Sequence, residues 1–166
     1  VTTVMANIGF HKAIKENGGR TEITAVGDRY VLENMLANGY NLGGEQSGHI
    51  IFTDFSTTGD GPVTALQVLS YLKRTRHKAS AITKIMTSYP QLLVNVKVAT
   101  KDGWEDNEAI KASIEEGKQQ LGENGRILVR PSGTEPLIRV MAEGPDQKEL
   151  EEICYKIADV VKVQQG

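Results

Sequence analysis

The stretch "RILVRPSGTEPLIRVMAE", residues 126–143, decides the fold of the second half of the chain. It contains two apolar segments, "RILVR" and "LIRVMAE", on either side of a turn rich in proline, glycine and hydroxyl residues. Apolar segments that flank such a turn are typical of paired strands. Arg130 ends the first predicted strand and Arg139 lies early in the second. We therefore expect both arginine side chains to converge over the turn.

The turn between these strands carries the groups that a phosphate-binding loop requires. Guanidinium groups bind phosphate bidentately, and Ser132 and Thr134 add hydroxyl donors. Gly133 allows backbone N–H groups to approach an anion closely. Hydrogen bonds to a charged group contribute about 1.5–3 kcal/mol each, so three or four would hold a phosphate dianion without a metal. The alternative is a surface hairpin whose arginines pair with Glu135 or Glu143.

The segments around this hairpin predict an α+β domain. Apolar and polar residues alternate in "LLVNVKVA", residues 92–99, which is typical of a strand with one buried face. A helix is predicted over residues 107–121. A last helix begins at Asp146 and carries an apolar stripe that includes Cys154. The order β-α-β-β-α predicts a small antiparallel sheet with two helices.

The first half of the chain alternates strands and helices, which predicts an α/β layer architecture. Pro90 ends this half, so we assign residues 1–89 and 90–166 to separate domains. The predicted elements are strands at 1–5 and 21–26, helices at 6–17 and 27–39, a loop that leads into a strand over 41–52, a helix capped by Asp60, and a short helix at 80–87.

The stretch "GGEQSGH", residues 43–49, is a candidate sugar-binding loop. If its second part is extended, the side chains of Glu45, Ser47 and His49 point to one side, since side chains alternate along a strand. A carboxylate, a hydroxyl and an imidazole on one face suit the hydroxyls of a sugar ring. We name His49 as the sole acid/base candidate and identify no other catalytic residue. The alternative is a glycine-rich turn with one acidic residue at its tip.

A second stretch, "VGDRY" at residues 26–30, would bring Asp28 and Arg29 to the mouth of the same cleft. The alternative is that Asp28 only caps a helix and that Arg29 is only a solvated charge. No metal site is predicted, because one aspartate in "TTGDG" is too few for a magnesium site and the histidines have no cysteine partner.

The bulk composition narrows the class of protein. Nineteen basic and 21 acidic residues give a net charge of −2, which provides no electrostatic argument for nucleic acid or membrane binding. No apolar run approaches the roughly 20 residues of a membrane span, and no signal peptide is recognisable at the start. The single Cys154 fits a reducing compartment, so we expect a cytoplasmic protein. Because Val1 already lies in a predicted strand, we expect the chain to be part of a longer protein.

"GGEQSGH" followed by "RPSGTEPLIRV", together with "VGDRYV" and "TTGDG", resembles the α-D-phosphohexomutase family. The resemblance extends over essentially the whole chain. Members of that family have four domains. Residues 1–89 resemble the third, a sugar-binding domain that is either complete or lacks its first segment, and residues 90–166 resemble the fourth, a phosphate-binding domain.

The resemblance assigns expected roles to the residues that match the family motifs. It implies a sugar-binding set of Glu45, Ser47 and His49, a sugar-selecting set of Gly27, Asp28 and Arg29, and a phosphate-binding set of Arg130, Ser132, Gly133, Thr134 and Arg139. No residue of this chain is expected to bind a metal. The phosphoserine loop and the aspartate-rich Mg²⁺ loop of the family have no match here, so Mg²⁺ and the catalytic serine are expected in missing N-terminal domains.

The resemblance also implies an activity for the longer protein. It would be an isomerase that interconverts glucosamine 6-phosphate and glucosamine 1-phosphate through a phosphoserine and a 1,6-bisphosphate, on the way to cell-wall precursors. This chain alone would be inactive. Two alternatives stay open: a sister specificity for mannose or glucose phosphates, and a non-catalytic module that binds phosphosugars. The expected partners are a hexosamine phosphate and the missing domains, with a homodimer left open.

Overall fold

The computed structural model describes all 166 residues of the chain. They form two compact units, Val1–Ser88 and Tyr89–Gly166. The first unit is α/β and the second is α+β, which confirms the predicted fold classes. No helix combines the length and the apolar character that crossing a membrane requires.

A four-stranded mixed sheet organises the first unit. Its strands are β1 (Thr2–Thr3), β2 (Ile23–Thr24), β3 (Leu42–Gly44) and β4 (Ile50–Phe52). The strand order is β2-β1-β3-β4, in which β1 is parallel to β2 and β3, and β3 is antiparallel to β4. The helices are α1 (Ile8–Glu16), α2 (Asp28–Asn38), α3 (Gly61–Thr75) and α4 (Ala79–Ile82).

The first two strands cover fewer residues than the predicted segments 1–5 and 21–26. Strand β1 ends at Thr3 because the chain turns there, and the N–H of Ala6 donates to the Thr3 carbonyl at 3.0 Å. Asn7 then caps α1 through its side-chain oxygen. Local capping therefore ends the strand earlier than the apolar pattern indicates.

Residues 41–52 form a β-hairpin rather than the predicted loop that leads into a single strand. Gly43 of β3 lies opposite Ile51 of β4 in the ladder. A Cβ atom at Gly43 would lie 2.6 Å from Val31 Cγ1 and even closer to Met35 Sδ, both on α2. The missing side chain at Gly43 therefore lets α2 pack directly on β3.

Helix α3 begins as predicted at an aspartate cap, since the N–H of Val63 donates to Asp60 Oδ1 at 2.9 Å. Leu66 and Leu69 on this helix are 64% and 59% exposed, and no residue of α3 is buried. The helix is thus present as predicted, although none of its apolar residues is buried.

The helix predicted over residues 80–87 is only the short α4. Its end coincides with Thr83, whose hydroxyl donates to the Ser80 carbonyl at 3.2 Å. A side chain that binds a helix carbonyl in this way competes with the next helical turn. This competition accounts for the shorter element.

The second unit contains a three-stranded antiparallel sheet with two α-helices. The elements are β5 (Gln91–Lys97), α5 (Glu108–Leu121), β6 (Arg126–Pro131), β7 (Leu137–Glu143) and α6 (Gln147–Gln165), with short 3₁₀ helices at Trp104–Asp106 and Gly122–Asn124. The strand order is β5-β7-β6, so β7 is central. The predicted β-α-β-β-α order is confirmed.

The core of the second unit lies between the helices and one face of this sheet. Alternate residues of the central strand β7 are fully buried there, including Ile138 and Val140, and Ile157 contributes from α6. Cys154 is also buried in this core, as the apolar stripe predicts, and burial raises the pKa of its thiol to about 11. The opposite face of the sheet carries Arg130 and Arg139 together with two further buried residues of β7, Met141 and Glu143.

Replacing Gly43 by alanine should destabilise the first unit by about 1–3 kcal/mol, because the added methyl group would overlap α2. Chemical denaturation monitored by circular dichroism measures this change. Gly61→Ala is the matched control, since a Cβ at Gly61 meets no atom within 4 Å. Equal stability of the two variants would contradict the packing described here.

Candidate substrate-binding loops

The two arginines of the hairpin lie side by side in the structure. Arg130 of β6 and Arg139 of β7 are direct partners in the antiparallel ladder. Residues directly opposite each other project to the same face of a sheet. Ile138 and Val140 flank Arg139 and point into the core, so the arginines occupy the face turned away from the helices. The predicted convergence of the two side chains is therefore present in the structure.

Arg130 is a cation without a counterion in the protein. Its side chain makes no hydrogen bond or ion pair with another residue, and Arg130 is half-buried. Burial, and after it the positive charge of Arg139, lower the pKa of Arg130. Like charges directly opposite each other destabilise a sheet, so this arrangement favours an added anion.

Arg139 has the partner that the surface-hairpin alternative predicts. Its Nη2 lies 3.2 Å from Glu135 Oε2 and 3.3 Å from Ser132 Oγ, whereas its buried Nε has no partner. Glu135 is 54% exposed, and exposed ion pairs contribute only about 0–1 kcal/mol. Glu143, the other predicted partner, binds Arg126 instead, with 2.6 Å between Nε and Oε2. The surface-hairpin alternative thus accounts for the contacts of Arg139, but it does not explain why Arg130 has no carboxylate partner.

The turn after Arg130 presents unoccupied donors. Ser132 is buried, and its N–H donates to the Leu137 carbonyl at 2.8 Å while its Oγ accepts from the N–H of Glu135 at 3.3 Å. Gly133 and Thr134 are exposed, and no protein acceptor binds their backbone N–H groups. A Cβ at Gly133 would meet no atom within 4 Å, so the loop is open to a ligand there.

Sequence reasoning missed Lys101 as a residue of this loop. Its Nζ donates to the Ser132 carbonyl at 2.7 Å across 31 residues of sequence. Nothing in the segment "ATKDGW" distinguishes this lysine from a solvated one, and only the fold brings it to the turn.

Glu45, Ser47 and His49 are brought together, but not by an extended strand. Ser47 Oγ lies 3.3 Å from Glu45 Oε2 and 3.1 Å from His49 Nδ1. The segment is a turn closed by the N–H of Glu45 on the His49 carbonyl at 2.9 Å, with Gly48 at a φ of +99°. The premise of an extended segment is therefore wrong. The turn nevertheless clusters the same three side chains.

Glu45 also connects this turn to the second motif. The N–H of Gly27 donates to Glu45 Oε1 at 2.8 Å, and the Glu45 side chain is only 10% exposed. The Glu45 carboxylate therefore binds two groups: the Gly27 N–H at the start of α2 and the Ser47 hydroxyl. A cavity of about 650 Å³ lies next to it and is lined in part by Gln46 and Tyr40.

Asp28 and Arg29 lie at the start of α2 and make only local contacts. Asp28 Oδ1 accepts from the N–H of Arg29 at 2.8 Å. Arg29 Nε lies 2.7 Å from Glu33 Oε1, and this hydrogen bond raises the pKa of Arg29. The structure thus groups Gly27 with Glu45. Asp28 and Arg29 keep to local contacts, although Gly27 rather than Asp28 is the N-cap of α2 and Arg29 is paired with Glu33 rather than only solvated.

The chain contains no group of three or more histidine, cysteine, aspartate or glutamate side chains that could hold a metal ion. The chemistry of the two loops is that of binding: a cationic loop suited to an anion in one unit, and a carboxylate–hydroxyl–imidazole cluster in the other.

Comparison with known proteins identifies the family. The chain belongs to the phosphoglucomutase/phosphomannomutase family: residues 1–89 match its alpha/beta/alpha domain III, and residues 93–160 match its C-terminal domain. The predicted resemblance to the phosphohexomutases is confirmed.

Curated relatives of the chain include phosphoglucosamine mutases. It is 57% identical to that of Brevibacillus brevis over 164 residues, covering 99% of this chain and 37% of the relative. It is 54% identical to that of Streptococcus gordonii, covering 100% of this chain and 37% of the relative. The chain thus spans 37% of the length of these relatives.

Solved structures support the fold. The N-acetylphosphoglucosamine mutase of Aspergillus fumigatus superposes with a TM-score of 0.81 at 21% identity, covering 99% of this chain and 38% of that one. A structure of the Aspergillus enzyme in complex with GlcNAc-6P and magnesium superposes with a TM-score of 0.80 at 20% identity, with the same coverage.

Replacing Glu45 by alanine should accelerate hydrogen exchange at the Gly27 amide by about ten- to a hundredfold, because a hydrogen bond to a charged group worth about 1.5–3 kcal/mol is lost. Amide exchange measured by NMR gives this rate. Glu33→Ala is the control, since it removes only the exposed pair with Arg29. Unchanged protection of Gly27 in the Glu45 variant would refute the connection between the two motifs.

Proposed function

We propose that the whole protein to which this chain belongs is a phosphoglucosamine mutase, and that this chain supplies its substrate-binding residues. The reaction would interconvert glucosamine 6-phosphate and glucosamine 1-phosphate. The curated relatives, at 57% and 54% identity, support this specificity. The observation that carries the proposal is Arg130, a half-buried cation that faces Arg139 and has no anion.

In this proposal the second unit binds the substrate's phosphate. Arg130 and Arg139 supply guanidinium donors, and the backbone of Gly133 and Thr134 supplies N–H groups without protein acceptors. The Ser132 hydroxyl adds one more polar group. Such donors recognise charge rather than ring identity. The loop would therefore accept a phosphate at either end of the sugar.

The first unit would bind the sugar. Glu45, Ser47 and His49 form a hydrogen-bonded cluster that can accept and donate to ring hydroxyls. His49 is 56% exposed, so its imidazole is accessible as an acid/base candidate. Gly27, held by Glu45, would set the position of Asp28 and Arg29 and through them the choice of sugar.

Phosphoryl transfer needs groups that this chain does not provide. We assign the phosphoserine and the Mg²⁺ site to N-terminal domains of the whole protein, because the chain has no cluster of metal-binding side chains. Magnesium would neutralise phosphate charge during transfer. This chain alone should bind substrate without turnover. A phosphorylated sugar and one buried, unpaired cysteine fit a cytoplasmic location.

A sister specificity is the second candidate. The family description covers phosphoglucomutases and phosphomannomutases, and a family protein from Burkholderia thailandensis superposes with a TM-score of 0.70 at 21% identity. The loop that binds the phosphate does not distinguish these sugars. The distinction would depend on the first unit.

Replacing Arg130 by methionine should weaken binding of inorganic phosphate to the 166-residue chain by about ten- to a hundredfold, since charge-assisted hydrogen bonds are lost. Amide chemical shifts of residues 130–139, followed during titration, measure the dissociation constant. Arg74→Met on α3 carries the same charge change outside the loop and should bind as the original chain does. Equal binding by both variants, or no shifts at millimolar phosphate in the original chain, would overturn the phosphate site.

The whole protein should turn over glucosamine 6-phosphate with a higher kcat/KM than mannose 6-phosphate or glucose 6-phosphate. Parallel assays with the three sugar phosphates and Mg²⁺ measure this preference. Faster turnover of mannose 6-phosphate would establish the sister specificity. Absence of turnover with all three substrates would favour a non-catalytic module.

A further inference from the structure

Lys101 holds one end of the phosphate-binding loop. Its Nζ donates to the Ser132 carbonyl at 2.7 Å. The same segment holds the other end of the loop, because the N–H of Val98 donates to the Pro136 carbonyl at 3.1 Å. The segment that follows β5 therefore fixes the backbone on both sides of Gly133 and Thr134.

The ammonium group of Lys101 is only partly used by the protein. A lysine carries three N–H donors, and the Ser132 carbonyl is the acceptor of one of them. Lys101 is half-buried and forms no ion pair with a carboxylate. The loop therefore carries three cations, Lys101 on the Ser132 carbonyl and the facing Arg130 and Arg139, whereas its carboxylate, Glu135, pairs with Arg139 alone. This excess of positive charge fits a dianion better than a monoanion.

We propose that Lys101 is a positioning residue of the phosphate-binding loop and supplies its third positive charge, which makes the loop selective for the dianionic form of phosphate. The inference rests on the proposed phosphate-binding function of the loop. Lys101 acts through the Ser132 carbonyl, which keeps the neighbouring N–H groups aimed at the anion. Its charge adds to the field of the two arginines.

The test compares Lys101→Met and Lys101→Arg in the 166-residue chain by NMR titration with inorganic phosphate. At about pH 8, where the dianion predominates, Lys101→Met should bind about tenfold more weakly, because the loop loses one positive charge and the hydrogen bond that holds the Ser132 carbonyl. Lys101→Arg keeps a cationic donor and should stay within about threefold of the original chain. Lys148→Met is the charge-matched control, because Lys148 lies in the first turn of the 19-residue α6. It is roughly 25 Å along the helix from Gln165, whose carbonyl accepts from the N–H of Ala99 near Lys101.

The charge of the phosphate distinguishes a cationic role of Lys101 from a role in supporting the loop alone. At about pH 5, where the monoanion predominates, the defect of Lys101→Met should shrink to about threefold or less, whereas a loosened loop would weaken both forms equally. Equal loss at both pH values, or unchanged binding by Lys101→Met, overturns the proposal while Arg130→Met still shows the phosphate site. If Arg130→Met also leaves binding unchanged, the proposed function itself fails.

Discussion

The second unit depends on one electrostatic constraint: two guanidinium groups are held opposite each other in a β-ladder. The register that pairs Arg130 with Arg139 is the same register that buries Ile138 and Val140 against the helices. A shift by one residue would turn the apolar side chains to solvent. Packing of the core therefore enforces the proximity of the two cations. The repulsion between them is a cost that a bound anion removes.

Polar contacts around the turn make this arrangement a defined site rather than a mobile loop. Ser132 uses its N–H, its carbonyl and its hydroxyl within the unit, and the segment after β5 holds both ends of the turn. The N–H groups of Gly133 and Thr134 stay unused. Donors that are fixed before a ligand arrives lose little entropy when they bind it. The loop thus combines a positive field with prearranged donors.

Much of the fold could be predicted from residue patterns. The alternation in residues 92–99 and the apolar stripe of the last helix correspond to β5 and α6, because both patterns reflect burial on one side. The hairpin β3–β4 could not be predicted in the same way, since it depends on contact between Gly43 and Met35 of α2. Short strands and short helices depend on local caps, which compete with the apolar pattern.

In the candidate site, too, contacts within one motif could be predicted from the sequence, whereas contacts between distant segments could not. Neighbouring motif residues, such as Glu45 with Ser47 and His49, could be grouped from sequence, even though the extended geometry assumed for them is wrong. Contacts between distant segments could not be predicted. The Gly27 amide on Glu45 and the Lys101 ammonium on Ser132 exist only because the sheets bring these segments together.

A crystal structure of the 166-residue chain with glucosamine 6-phosphate would test the central claim most directly. We expect the phosphate group to lie within hydrogen-bonding distance of the Arg130 guanidinium and of the backbone N–H groups of Gly133 and Thr134. A structure in which the sugar phosphate binds elsewhere, with Arg130 paired to a protein carboxylate, would contradict the account.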